Sequence, residues 1–343
     1  MKILVVPLLL LVGTCSNQRH SEKVDDLKNS ISYSEKAPVE TYLNTITTED
    51  LKIHLNEIAS DKYAGRRAGA DGHNEVCDYI RKYYDSLQIK APKTYPDYFQ
   101  TIPESYLPEE LRTSQNVVAY IEGSEFPEEV LVISAHSDHM GVIDGKIHNG
   151  ADDNASGTSA IMEIAQAFQL AAENGHRPRR SIVFLHLTAE EYGLYGSLFY
   201  TENPAFPLEN TVANLNTDMI GRVDKRHVGN EEYIYLIGSD RISTELDFIV
   251  RKANEEFTHL ELDYKYNALN DSNRYYSRSD HYNFALKNVP VIFFFNGEHE
   301  DYHKPTDTVD KINYKILQKR AQLIFATAWY VANSDNPPVK EVL

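Results

Sequence analysis

Short apolar blocks separated by polar segments run along most of this chain of 343 residues. Uninterrupted apolar runs such as VLVIS, SIVFLHL and VPVIFFF are typical of strands buried on both faces. Strands are therefore predicted at 116–121, 130–134, 181–187, 211–216, 233–237 and 289–295. Apolar residues at helical spacing predict helices that follow a capping box at Thr47, and at about 72–87, 156–170, 192–200, 243–254 and 311–331.

Strands that alternate with helices predict an α/β fold, in which a mostly parallel, mixed central sheet has helices on both faces. We expect residues 41–343 to form a single domain. One stretch, about 222–278, is rich in Tyr, Asn and charge and interrupts the pattern. Its position between two motifs favours an insertion over the functional site, and a peripheral extension is the alternative.

The first 15 residues have the pattern of an export signal. Lys2 precedes an apolar run from Ile3 to Val12 that is too short to span a bilayer. Cys15 follows small residues and indicates a lipoprotein-type signal, although Thr14 is an unusual residue immediately before such a cysteine. Polar residues 16–40 are predicted to be a tether. These features predict an exported protein, periplasmic or in the cell envelope, that contacts the membrane only through an N-terminal lipid.

Acidic residues outnumber basic ones, with 51 Asp+Glu against 34 Lys+Arg and a net charge of −17. Such a charge repels phosphate backbones, so nucleic acid is not an expected partner. The only other cysteine is Cys77, in a predicted helix. A lipidated Cys15 would leave it without a disulfide partner, and Cys77 is interpreted as a small buried apolar residue.

Several residues typical of metal sites directly follow predicted strands. Because the carboxyl ends of strands converge at one edge of an open α/β sheet, these residues can meet there. Mixed carboxylate and imidazole sets suit zinc, and two ions about 3.5–4 Å apart need a bridging carboxylate. We assign His136 and Asp218 to one zinc ion, Glu191 and His303 to the other, and Asp153 to both. Asp138 is predicted to orient the His136 ring.

Other histidines fit a metal site less well. The segment His299–His303 matches the H-E-x-x-H pattern of many zinc proteases, which requires a helix. It follows Asn296-Gly297 and precedes Pro305, so a helix there is not expected. His139, His148, His186 and His281 have no evident partner in the sequence and are not expected to be ligands.

Together, the motifs H-x-D, G-A-D-D-x-x-S-G, E-E-x-G-x-x-G-S, D-M-I-G and H-x-x-x-D-T resemble those of the co-catalytic di-zinc aminopeptidases, of the aminopeptidase Y and bacterial leucyl aminopeptidase type. The resemblance runs from about Leu51 to the final helix and implies a three-layer zinc-exopeptidase fold. It assigns the bridging role to Asp153 rather than Asp152, with a cis bond after Asp153. It further implies that Glu190 is the general base, that Tyr302 holds the oxyanion, and that Asp280 supports the ligands.

The expected function is removal of the N-terminal residue from peptides with a free N-terminus, by water that two zinc ions activate and Glu190 deprotonates. One alternative is a glutaminyl-peptide cyclase of the same fold, which uses one zinc. Another is a binding module with an impaired site. The complete set of ligands and Glu190 favour the peptidase over both.

Overall fold

The computed structural model describes residues 21–343. The predicted signal segment at 1–15, with Cys15, lies outside the described residues. The tether predicted for residues 16–40 is wrong in its second half, since Ile31, Tyr33 and Val39 are buried in the core and a helix begins at Lys36. Burial of these apolar side chains offsets the entropy lost on ordering the segment. Among the described residues, no helix is long and apolar enough to cross a membrane.

A central sheet of eight strands organises the fold, with the spatial order β1-β2-β6-β3-β7-β10-β8-β9. The four middle strands, β6, β3, β7 and β10, run parallel to one another. The strands β1, β2 and β8 join through antiparallel pairs. The strand bounds are β1 Phe99–Ile102, β2 Ser114–Ile121, β3 Phe126–His136, β4 Gly141–Ile143, β5 Lys146–His148, β6 Arg180–Leu187, β7 Thr211–Thr217, β8 Tyr233–Ile237, β9 Glu261–Asp263 and β10 Val291–Phe295, of which β4 and β5 form a separate hairpin.

Both faces of the sheet are buried, as its continuous apolar runs predict. In β3, Leu131 and Ile133 pack into the larger core on one face, whereas Val130 and Val132 pack into the core on the other. Successive side chains of a strand point to opposite faces, so a run with no polar position requires cover on both sides. The predicted α/β fold with a mixed sheet and helices on both faces is confirmed.

Helices cover the two faces unequally. The long helices α4 and α8 lie on the face of the larger core, together with α1, α2, α3 and α6. The short helices α5 and α7 contact each other and cover the opposite face. Their bounds are α1 Lys36–Leu43, α2 Thr48–Ile58, α3 Asp71–Ser86, α4 Gly157–Glu173, α5 Tyr195–Glu202, α6 Thr244–Ala253, α7 His281–Leu286 and α8 Tyr314–Asn333. Residues 21–30 are also helical.

The stretch at 222–278 is part of the sheet rather than an interruption of it. It supplies β8, the edge strand β9 and the helix α6 between them. Its last segment, with Tyr275 and Arg278, returns to the carboxyl end of the sheet and lines a pocket there. Whether the stretch is an insertion within its family stays a prediction.

Candidate metal centre

Five side chains converge where the four parallel strands end. His136 is the last residue of β3, Asp218 follows β7, and Glu191 lies four residues after β6. His303 comes from the turn after β10, and Asp153 from the irregular turn between β5 and α4. The Asp153–Asn154 bond is cis, as the resemblance implies. The sheet thus brings together residues that lie far apart in the sequence.

Asp153 lies between two groups of nitrogen and oxygen donors. Its Oδ1 is 3.2 Å from His136 Nε2, which is 3.4 Å from Asp218 Oδ1. Its Oδ2 is 3.2 Å from His303 Nε2, which is 3.0 Å from Glu191 Oε2. Each group offers one imidazole and two carboxylates, the donor set of a catalytic zinc ion with a position left for water or substrate. The residues therefore fit two zinc ions that share Asp153.

The charges of the cluster also favour cations. Burial alone would raise the pKa of Asp153, but hydrogen bonds from His136 and His303 hold it well below its usual value. Burial alone would lower the pKa of His303, but hydrogen bonds to Asp153 and Glu191 raise it to about 10. The carboxylates thus stabilise positive charge at the positions that the imidazoles face. Metal ions bound at these positions would supply that positive charge.

The turn that carries Asp153 is fixed on two sides. On one side, the carboxylate of Asp307 accepts hydrogen bonds from the backbone N–H groups of Asp152 and Asp153. On the other, Asn154 donates to the carbonyl of Thr217 at 2.8 Å and accepts from the N–H groups of Gly157 and Met219. Asn154 therefore ties the Asp153 turn to the backbone on both sides of Asp218.

Asp138 lies beside both His136 and Glu190. His136 Nδ1 lies 3.2 Å from the backbone carbonyl of Asp138 and 3.8 Å from its carboxylate. The carboxylate instead accepts a hydrogen bond from the backbone N–H of Glu190 at 3.3 Å. The backbone oxygen is thus the closer partner of the His136 ring, and orientation of the ring by the Asp138 side chain stays a prediction. Burial raises the pKa of Asp138 to about 7.

The S-D-H element at 279–281 contacts the centre through its serine. Ser279 Oγ donates to Asp218 Oδ2 at 2.7 Å, which leaves Asp218 Oδ1 toward His136. The support of the ligands by Asp280 stays a prediction. Asp280 is fully buried, and burial raises its pKa to about 7.

His139 is the residue of the centre that sequence reasoning missed. Its Nδ1 lies 2.6 Å from Glu191 Oε1 and 3.9 Å from Asp153 Oδ2, and the ring is buried. Asp153, Glu191 and His139 together form one of the groups at the centre that could hold a metal ion. His139 holds one oxygen of Glu191 and leaves the other for His303. The feature of the sequence that could have indicated His139 is the second histidine of AHSDH, three residues after the end of β3.

The other excluded histidines lie elsewhere. His186 bonds to Tyr84 Oη, His148 to the carbonyl of Lys146, and His281 stacks on Phe293. The H-E-x-x-H segment forms turns rather than a helix. His299 Nε2 lies 3.1 Å from Asp152 Oδ2, so His299 and His303 approach different carboxylates.

A pocket adjoins the centre on the side of Glu190. Its lining combines Asp153, Glu190 and Asp218 of the centre with apolar side chains and with Arg278 and Glu298. The apolar lining is Met219, Tyr275, Phe293 and Phe295. Burial raises the pKa of Glu190 well above its usual value, and His136 only partly offsets this. A carboxyl group that binds protons readily lies between the donor groups and the pocket.

Tyr302 closes the pocket beside an ion pair. Its ring stacks on His303 at 3.8 Å between centroids, and burial keeps its pKa above the usual value. Arg278 donates to Tyr302 Oη at 3.3 Å and pairs with Glu298 at 3.0 Å. Because Arg278 occupies an acceptor position of the hydroxyl, the tyrosine proton remains free to be donated elsewhere.

The chain has relatives among known peptidases. It is 26% identical over 308 residues to a "Probable zinc metalloprotease" of Pyricularia oryzae, which covers 78% of this chain and 59% of that protein. It is also 26% identical over 258 residues to "Leucine aminopeptidase 2" of Arthroderma otae, with 67% of this chain and 48% of the relative covered. The chain thus spans less than two thirds of the length of these relatives.

Solved structures share the fold. The LapA aminopeptidase of Legionella pneumophila superposes with a TM-score of 0.68 at 21% identity, covering 88% of this chain and 76% of that one. The glutaminyl cyclase of Bacteroides thetaiotaomicron superposes with a TM-score of 0.63 at 16% identity, covering 83% and 98%. The family model of peptidase family M28 matches residues 116–328, which include all five convergent donors. More than half of the chain is matched, and the chain therefore belongs to peptidase family M28.

Proposed function

We propose that the protein is a metal-dependent aminopeptidase that removes the N-terminal residue of peptides with two zinc ions. The observation that carries this proposal is the position of Asp153, whose two oxygens face two separate groups of donors. A single-metal site would need only one such group. When bound, the two ions would polarise the substrate carbonyl and lower the pKa of water at the centre.

Glu190 is the proposed general base. It lines the pocket beside Asp153 and Asp218, and none of the contacts around Asp153 uses its side chain. It would take a proton from the attacking water and return it to the amine that leaves. Burial raises its pKa, which suits a group that must hold the proton between the two steps.

Tyr302 is the proposed donor to the oxyanion. Its hydroxyl stays protonated, because burial holds its pKa above the usual value, and Arg278 fills an acceptor position of its oxygen. A protonated hydroxyl at the rim of the centre can stabilise charge that develops on the carbonyl oxygen. The role of Tyr302 therefore depends on donating, rather than losing, its proton.

Peptides with a free N-terminus are the proposed substrates. The pocket is lined by carboxylates of the centre and by aromatic side chains. The carboxylates would accept a positively charged α-amine, and the aromatic side chains would accept the first side chain of the peptide. A glutaminyl cyclase shares the fold, but the two complete donor groups favour hydrolysis. Export, with a lipid on Cys15, is the proposed location.

The test is mass spectrometry of a peptide panel incubated with the zinc-loaded protein. The panel contains free N-termini, acetylated N-termini and one N-terminal glutamine. Stepwise loss of first residues from free N-termini alone is expected, with about two catalytic zinc ions per chain. Ammonia loss from the glutamine peptide alone would instead establish a cyclase. No change in any peptide, with zinc bound, would favour a binding role.

A further inference from the structure

A second cluster of metal-binding residues lies at the edge of the sheet formed by 222–278. His227, Glu261 and Asp263 form this edge cluster, with one donor atom from each within 4.8 Å of the others. His227 comes from the loop between β7 and β8, and the two carboxylates come from the edge strand β9. None of the three has a part in the proposed reaction.

The His227 ring is held in one orientation. Asp224 Oδ1 is 2.8 Å from His227 Nδ1 and also accepts the backbone N–H of His227. Asp224 Oδ2 accepts a hydrogen bond from Tyr235 Oη at 2.7 Å. Because both oxygens of Asp224 accept hydrogen bonds, Nδ1 carries a hydrogen, and Nε2 is the ring nitrogen that faces the cluster. A carboxylate behind one ring nitrogen is the usual arrangement of a metal-binding histidine.

The free nitrogen of His227 faces carboxylate oxygen. Nε2 lies 3.4 Å from Asp263 Oδ2, and no hydrogen bond joins it to any residue in the described part of the chain. The ring is 4% exposed and stacks on Tyr233 at 3.5 Å, so it cannot turn away. A ring nitrogen that faces a carboxylate oxygen needs a cation between them, and a metal ion bound by both would supply it.

Three other groups contact the carboxylates. Arg226 Nε lies 3.2 Å from Asp263 Oδ2, and its side chain is 54% exposed. Asn230 donates to Glu261 Oε2 at 2.5 Å. The backbone N–H of Lys265 donates to Asp263 Oδ1 at 2.7 Å, so Oδ2 is the oxygen of Asp263 that both Arg226 and His227 face. The contact with Asn230 uses Oε2 of Glu261 and leaves Oε1. The exposed Arg226 side chain can move away if an ion binds, so it would compete with the ion rather than exclude it.

We propose that the edge cluster is an additional zinc site, separate from the catalytic pair. One imidazole and two carboxylates match the nitrogen and oxygen donors that zinc prefers, with water completing the tetrahedron. The ion would join the edge strand β9 to the loop that follows Asp218. Its role is therefore to stabilise the segment that leads from a ligand of the catalytic centre to the outer edge of the sheet.

The first test counts zinc in the full-length protein after loading with zinc chloride and removal of excess. The wild type is expected to hold about one zinc ion more per chain than His227→Asn, with peptidase activity retained. The matched control is His259→Asn, because His259 is exposed on the same stretch and its left-handed backbone tolerates asparagine. Equal zinc content in wild type and His227→Asn would overturn the proposal.

Further variants distinguish loss of zinc from the edge cluster from loss of zinc from the catalytic centre. Asp263→Asn should lose the same ion as His227→Asn, whereas His303→Ala should lose a different one. The edge site is supported if His227→Asn and Asp263→Asn each lack one zinc ion that His303→Ala retains. This holds even if the zinc content of His303→Ala gives no sign of a catalytic pair. Arg226→Gln should bind the edge zinc several-fold more tightly, since it removes a competing cation. Unchanged or weaker binding in Arg226→Gln would count against an ion at this position.

Discussion

At the scale of single residues, the roles of neighbouring carboxylates at the centre follow from where each oxygen points. Asp153 and Glu191 use their oxygens toward histidines, whereas Glu190 lies one position earlier and lines the pocket. The turn that follows Leu187 directs the two glutamates differently, so adjacent residues of one type have different surroundings.

Glu190→Gln should reduce kcat at least 100-fold, because the amide cannot take up the proton of the attacking water. Zinc content should stay unchanged, since the donor groups around Asp153 remain intact. The measurement is kcat on a peptide with a free N-terminus, with zinc content determined in parallel. Glu209→Gln, at an exposed glutamate, is the control. Wild-type turnover in Glu190→Gln would remove Glu190 from the mechanism.

Arg278 is expected to act through Tyr302. Arg278→Met should lower kcat about 10-fold, because it removes the donor that fills an acceptor position of the Tyr302 hydroxyl. In Tyr302→Phe the hydroxyl is absent, so adding Arg278→Met should then have little further effect. The double-mutant cycle on kcat measures this coupling. Equal losses in both backgrounds would show that Arg278 acts independently of Tyr302.

At the scale of elements, the site depends on how the turn before α4 is attached to the end of β7. Asn154 is fully buried and makes three hydrogen bonds to backbone groups there. These bonds fix the distance between the turn that carries Asp153 and the segment that carries Asp218. The arrangement of the ligands is thus set by a residue that does not face the donors.

Asn154→Ala should lower the free energy of unfolding by about 2–4 kcal/mol, because it leaves buried backbone groups without partners. It should also weaken zinc binding, since Asp153 and Asp218 lose their common support. Chemical denaturation and zinc titration measure the two effects. Asn174→Ala, at an exposed residue after α4, is the control. A loss of stability with unchanged zinc affinity would mean that the ligands are held in place by other contacts.

At the scale of the whole molecule, buried neutral histidines make the fold sensitive to acid. Burial lowers the pKa values of His73, His186 and His281 to about 3. The unfolded chain binds these protons near pH 6.5, whereas the folded protein does so only near pH 3. Stability therefore falls as the pH drops below about 6.5.

His281→Phe should reduce this sensitivity, because it replaces a titrating ring that stacks on Phe293 by one that does not titrate. Between pH 7 and pH 5 the wild type should lose about 2 kcal/mol more free energy of unfolding than the variant. Urea denaturation across this range measures the slope and is independent of any offset that the substitution introduces. Parallel slopes would show that His281 does not titrate as proposed.

Much of the fold could be predicted from the sequence, because buried strands such as Val291–Phe295 are continuous apolar runs. The convergence of the predicted donors also followed from their places after strands. Contacts that depend on side-chain direction were not predictable. The Asp138 carboxylate bonds to the Glu190 backbone, and His139 contacts Glu191, although spacing in the sequence indicated neither. Edge strands as short as β9 have too few residues to show a pattern.

The order of assembly follows from the way the sheet gathers its ligands. No two of the five convergent donors are close neighbours in the chain. More than half of the domain's sequence lies between His136 and His303. An unfolded chain thus presents isolated histidines and carboxylates, each with weak affinity for metal. The central strands must pair before either ion can be held firmly, so metal uptake follows folding and reports that the sheet is complete.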